Sequence, residues 1–246
     1  MKAEAPEAVP VQGGTDVIVD LNFDRSRPEA LLNLNEVAEL RGWSRANGRL
    51  RLGSGLTYAE AMQPELAELL PALAEAARTV GGPQIRNRGT IGGNLGTASP
   101  AGDALPPLLV CDAEVELAST HGQRTLPLHE FITGPKRNAL RGDELILAVA
   151  LDMPSGTQTF MKVGPRNAMV ISVVSLALRV DGELSAAFGS AGPVPTLVRA
   201  PLSEADSFPE RVLAAASPID DVRGSAAYRR HALRVLTTRA LERCLV

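Results

Sequence analysis

Between Gln84 and Asp103 the chain reads Gln-Ile-Arg-Asn-Arg-Gly-Thr-Ile-Gly-Gly-Asn-Leu-Gly-Thr-Ala-Ser-Pro-Ala-Gly-Asp. Gly89, Gly92, Gly93 and Gly96 permit positive φ and a close approach of backbone to a ligand. Thr90, Asn94, Thr97 and Ser99 add short hydrogen-bonding side chains, and Arg86 and Arg88 add positive charge. Open amides, hydroxyls and guanidinium groups together suit a phosphate or pyrophosphate. Asp103 stands just before an apolar run, in position to cap a helix. A long glycine-rich surface loop is the competing reading. A weaker second cradle, Gln12-Gly13-Gly14-Thr15-Asp16, follows the short apolar run Val9 to Val11, although a plain turn and helix cap accounts for it as well. Lys162 lies between Met161 and Val163 in an expected strand. Such a lysine usually snorkels to the surface; turned inward at a nucleotide site, it would hold a carbonyl or phosphate.

Composition removes several other chemistries. The 246 residues are 45% hydrophobic and 22% charged, ordinary for a globular protein and enough for one large or two smaller domains. A net charge of -3 and 3% aromatic residues speak against a nucleic-acid footprint. Cys111 and Cys244 are too few for a four-cysteine cluster. Cys111 reads as a small buried hydrophobe, and a reducing compartment, the cytoplasm, fits. His121, His129 and His231 lack ligand spacing and read as surface residues. No apolar run is long enough to span a membrane, and no secretory leader is evident. The glycines match neither Gly-x-Gly-x-x-Gly nor a P-loop. With no acid–base set in view, a bound cofactor is expected to carry the chemistry.

The elements that must position these residues are α+β in pattern. Val17, Ile18, Val19 and Leu21 are expected in a core, and Leu31 to Leu34 in a strand. Asn47-Gly48 predicts a hairpin. Thr57 and Glu60 have capping-box spacing. Leu66, Leu69, Leu70, Leu73, Ala76, Ala77 and Val80 predict a helix over Pro64 to Val80 with a break at Pro71, closed by Gly81 and Gly82. Ala104 to Cys111 reads as a helix, Leu145 to Leu151 as a buried strand, and Met169 to Val180 as a long central strand turning at Asp181-Gly182. Tyr228 to Leu245 predicts a basic amphipathic helix carrying Arg229, Arg230, Arg234, Arg239 and Arg243, read as a solvated face. A seam at Pro154-Ser155-Gly156-Thr157 divides the chain into residues 1–154 and 155–246.

Several separated segments, in order, resemble the FAD-binding medium subunits of the molybdenum hydroxylases, the xanthine dehydrogenase, aldehyde oxidase and carbon monoxide dehydrogenase group. They are Gly13 to Asp16, Arg51 to Tyr58, Leu70 to Leu73 with Gly81 to Asp103, Phe160 to Gly164, Ala191 to Thr196, and Asp221 to Arg230. The resemblance implies a vanillyl-alcohol-oxidase-type (PCMH-type) FAD-binding domain in two subdomains, then a small α+β C-terminal domain. It implies that Val11, Gln12, Gly13, Gly14, Thr15, Asp16 and Val17 wrap the pyrophosphate and ribityl chain of FAD with Thr90, Ile91, Gly92, Gly93 and Asn94. Asp103 would meet the ribose and adenine side, Ile146 and Lys162 the isoalloxazine end, and Val80 the pocket wall. The implied role is electron transfer: a molybdopterin large subunit oxidises substrate, a [2Fe-2S] small subunit relays electrons, and FAD passes them to NAD, a quinone or oxygen. A dimer of heterotrimers is the implied assembly. The family's usual extra strand and helix ahead of the first glycine segment find few residues here, so the first subdomain is expected to be short. Two cysteines argue against a subgroup carrying an additional cluster. An FAD-less scaffold of the same kind of complex is the alternative.

Overall fold

The computed structural model describes residues 2–245. At the N-terminal side, β1 (Val9–Val11) pairs in parallel with β2 (Leu31–Asn33), and α1 (Val17–Asn22) lies between them in the chain. Ala8, Leu32, Leu34 and Leu40 form a small core here, with Leu145 and Leu147 packed against it. Contrary to expectation, α1 buries none of its residues; Ile18 is 50% and Val19 41% exposed. Two strands of three residues each offer no face wide enough to cover a helix.

β3 (Trp43–Ala46) and β4 (Arg49–Gly53) form the predicted hairpin. Asn47 and Gly48 take φ 52° and 74°, the left-handed pair a two-residue turn demands. A helical run follows: α2 (Tyr58–Ala61), α3 (Pro64–Leu69), α4 (Pro71–Thr79), α5 (Pro83–Arg86), α6 (Ile91–Thr97) and α7 (Leu105–Val110). The Thr57/Glu60 capping box opens α2, and Pro71, which lacks an N–H, separates α3 from α4. Then come β5 (Glu114–Ser119), β6 (Gly122–Pro127), α8 (Leu128–Phe131), the short pair β7 (Ile132–Gly134) and β8 (Arg137–Asn138), and β9 (Leu145–Asp152). The five-stranded sheet runs β3-β4-β9-β5-β6, antiparallel throughout. Leu50, Leu52, Val115, Leu117 and Val149 share its core with Leu73, Ala76, Ala77, Leu105 and Leu108 of the helices.

The chain crosses to a second sheet between Asp152 and Thr157. There β10 (Thr157–Val163), β11 (Val174–Val180), β12 (Glu183–Gly189) and β13 (Thr196–Pro201) form an antiparallel meander. α9 (Phe208–Ala214) and α10 (Ala226–Cys244) follow. Leu176, Leu178, Ala186 and Phe188 pack with Phe208, Leu233 and Leu236. The alternate residues Phe160, Ala177 and Ala187 join the core built on the earlier helices. Both faces of this sheet are therefore covered, and β11 runs buried without a break from Val174 to Leu178. That run is shorter than predicted. Met169 has φ 50°, Met169 and Ile171 are 57% and 64% exposed, and pairing begins only at the Val163–Val174 register. Apolar composition carried the expectation past the end of the sheet. Among the described residues, no helix is long and apolar enough to cross a membrane. No group of three or more His, Cys, Asp or Glu able to hold a metal occurs among them either.

Candidate functional site

The two glycine segments meet. A Cβ on Gly13 would lie 2.2 Å from the Arg88 carbonyl oxygen and 3.2 Å from Gly89 Cα. Arg88 donates back to the Gln12 carbonyl at 3.2 Å, and the Thr97 hydroxyl donates to Asp16 at 2.5 Å. A third stretch, Gly53-Ser54-Gly55 at the end of β4, completes the junction. The Gln12 side chain packs where a Gly55 Cβ would sit, at 2.2 Å, and a Gly92 Cβ would lie 2.5 Å from Ser54 Cβ. Sequence reasoning left Ser54 unassigned; a Gly-Ser-Gly turn between a strand and a capping box was its only signal.

The second segment is not a loop. Residues 91–97 form α6, with Thr90 as N-cap accepting from Gly93 N–H at 2.9 Å. Gly89, Gly92, Gly93 and Gly96 do not take positive φ; the chain reverses instead at Ala98, φ 47°. Glycine at 92 serves close approach to Ser54. The α6 amides are already engaged: Ile91 to Leu56 O at 2.9 Å, Gly92 to Ser54 O at 2.7 Å and Asn94 to Thr90 O at 3.1 Å. The open amides lie in the first segment. The N–H groups of Gly13, Gly14 and Thr15 have no acceptor among the described residues, and Gly14 takes φ 76°. Near them, the Ser54 hydroxyl and Asn94 Oδ1 are buried without a hydrogen-bond partner. Asn94 also packs on Gly102, 2.9 Å from where a Cβ would sit.

Gly102 leads to the other predicted residues. Asp103 does not cap α7, whose N-cap is Ala104. It pairs with Lys162 at 2.5 Å, the two side chains being 7% and 5% exposed. Its other oxygen accepts from the Ser172 hydroxyl at 2.5 Å. Lys162 also donates to the Thr79 carbonyl at 3.2 Å, next to Val80, which is half-buried. Burial pushes the Asp103 carboxyl up from its ordinary range, opposed by Lys162 and by the Ser172 hydroxyl. The sequence reading placed Asp103 and Lys162 at opposite ends of one cofactor. In the structure the two side chains are in direct contact. Ile146 is buried, with its Cδ1 3.9 Å from the Cβ position of Gly96.

Residues 1–154 match the family described as FAD binding domain in molybdopterin dehydrogenase.

The chain belongs to this family.

The xanthine dehydrogenase FAD-binding subunit of Escherichia coli O157:H7 is 34% identical over 263 residues, covering 97% of this chain and 89% of that protein. The nicotinate dehydrogenase FAD-subunit of Eubacterium barkeri is 34% identical over 186 residues, covering 72% and 62%. Among solved structures, quinoline 2-oxidoreductase from Pseudomonas putida 86 superposes with TM-score 0.91 at 23% identity, over 99% of this chain and 91% of that one. Carbon monoxide dehydrogenase from Hydrogenophaga pseudoflava gives TM-score 0.89 at 22% identity, over 97% and 90%. The fold is the α+β, PCMH-type FAD-binding architecture of this family.

The polar set fits the group the family is named for. Successive open amides suit a pyrophosphate, and an unpartnered amide oxygen and a hydroxyl suit sugar hydroxyls. The buried Lys162 offers a cation, with two of its three donors already engaged by Asp103 and the Thr79 carbonyl.

Proposed function

We propose that this chain is the FAD-bearing electron-transfer subunit of a molybdenum hydroxylase complex, distinct from the chain that oxidises substrate. When bound, FAD supplies electron acceptance from a [2Fe-2S] partner and delivery to an external acceptor: NAD, a quinone or oxygen. Residues 1–154 form the FAD-binding domain and residues 155–246 the C-terminal domain. The amides of Gly13, Gly14 and Thr15, with Gln12 and Asp16 beside them, bind phosphate oxygens. Val11 and Val17 flank that turn. Thr90, Ile91, Gly92 and Gly93 hold α6 against Ser54, so that Asn94 and Ser54 present their unpartnered oxygens. Asp103 and Lys162 orient the far end of the cofactor, with Val80 and Ile146 as apolar wall. The full assembly is a dimer of heterotrimers with a molybdopterin large subunit. Two free, buried cysteines suit a cytoplasmic setting.

The observation that carries this reading is the junction of Gly13, Ser54 and Gly92, where open amides stand beside orphaned oxygens. The test is visible absorbance of the purified chain before and after addition of FAD, repeated with Lys162→Met and Asp103→Asn. Flavin bands near one per chain, weakened in both variants, are expected. A chain that takes up no flavin alone or with its partner subunits would be a scaffold, and the proposal would fall.

A further inference from the structure

The terminal helix carries a charge that never reaches water. Arg229 is 1% exposed, where the sequence pattern placed it on a solvated face. Its Nη1 donates to the carbonyls of Val173 at 2.6 Å and Ser190 at 2.7 Å, and its Nη2 to Asp221 Oδ1 at 2.6 Å. A buried cation is tolerated only when paired and hydrogen-bonded. Asp221 supplies that charge and is itself held by Arg223 at 2.6 Å. Nε of Arg229 is buried with no partner, so the guanidinium meets carbonyls at one end at the expense of a lone donor.

One carbonyl belongs to a residue that touches the loop holding Asp103, the other to the chain neighbour of such a residue. Val173 follows Ser172, whose hydroxyl donates to Asp103. Ser190 donates its N–H to the Pro100 carbonyl at 2.8 Å, three residues before Asp103. Ser190 has φ 62°, a conformation a non-glycine residue keeps only when its surroundings impose it. Arg223 reaches the same place, donating to Ser172 O at 3.4 Å. The start of β11 and the end of β12 are thus tied together by one guanidinium nitrogen, while the other nitrogen of the same planar group is held by Asp221.

We propose that Arg229 is a positioning residue for the FAD site: gripping Val173 and Ser190, it sets the Asp103 loop and, through Ser172, the Asp103–Lys162 pair. The proposal rests on the assignment of Asp103 and Lys162 to the cofactor site. It makes the C-terminal unit part of the cofactor's support, although no residue of α10 has been assigned to the site.

The experiment measures FAD affinity of the full chain by quenching of flavin fluorescence, well below each variant's melting temperature as found by circular dichroism. Arg229→Lys is expected to bind FAD about tenfold more weakly, as for loss of a hydrogen bond made by a charged group. Ser172→Ala is expected to weaken binding too, and the double variant to bind more tightly than independent effects predict, since the two act on one loop. Unchanged affinity in Arg229→Lys, or full additivity, would overturn the proposal and leave Arg229 a purely structural residue. If Arg229→Lys does not fold, Asp221→Asn is read by the same criteria. Asp103→Asn separates the two levels. Undiminished affinity there removes the site assignment and this proposal with it; weakened affinity there, with full affinity in Arg229→Lys, removes this proposal alone.

Discussion

In Gln12–Asp16 the amides of Gly13, Gly14 and Thr15 stand open, and the helix that follows buries nothing. In Thr90–Asn94 the amides from Ile91 to Asn94 all have acceptors, and Thr90, Ile91 and Leu95 are buried. The two segments share glycine, threonine and a following apolar residue, yet one is a set of donors and the other a wedge. Glycine serves free backbone conformation at Gly14 and close packing at Gly92. On the function proposed above, the wedge sets the place of the site while the open turn supplies its affinity. Changes in the second segment should therefore cost fold stability first. Changes in the first should cost ligand affinity and leave the fold alone.

Leu95→Ala should break the wedge most severely. Leu95 is fully buried on α6, so a loss of about 2–5 kcal/mol is expected in urea unfolding of the apo chain. Gly92→Ala comes next. Its Cβ would meet Ser54 Cβ at 2.5 Å and Ser54 O at 2.6 Å, and overpacking of about 1–3 kcal/mol should appear as a lower melting temperature with or without FAD. Thr90→Ala removes the N-cap of α6 and should cost about 1 kcal/mol. Thr15→Pro, which removes one of the three open amides, is the counter-test. The apo melting temperature should not move, while FAD titration should show binding several-fold weaker; a variant that melts early instead would erase the distinction between the two segments.

The smallest effect is a pH dependence at Asp103. Its carboxyl is raised in the folded chain, chiefly by burial. A raised folded value means a contribution fully present below the unfolded value and lost as pH rises through the folded one. The apo chain should therefore lose stability relative to Asp103→Asn as pH climbs from about 4. Paired melting curves across pH check the sign.

Local signals were legible wherever their chemistry is local. Asn47-Gly48, the Thr57/Glu60 box, the Pro71 break and Asp181-Gly182 each act within a few residues, and each stands where the sequence puts it. The helix α6 was illegible because glycine disfavours helix; carbonyls at Ser54 and Leu56, brought by tertiary structure, stabilise its first turn. Burial of Arg229 was hidden for the same reason, since two of its acceptors are backbone oxygens distant in the chain. The pairing of Asp103 with Lys162 spans 59 residues, and no spacing rule reaches that far. The core role of Val17 to Leu21 failed because apolar composition predicts burial only where a partner surface exists.

The helices α4 and α7 share their core with Phe160, Ala177 and Ala187 of the second sheet. A ribosome finishes α4 at Thr79, long before Ala187 leaves the exit tunnel. At about 5–20 residues per second, the interval is roughly 5–20 s. Throughout that interval the nascent chain displays an apolar helical face whose cover has not been made. The first unit therefore cannot complete its core until β12 has been translated.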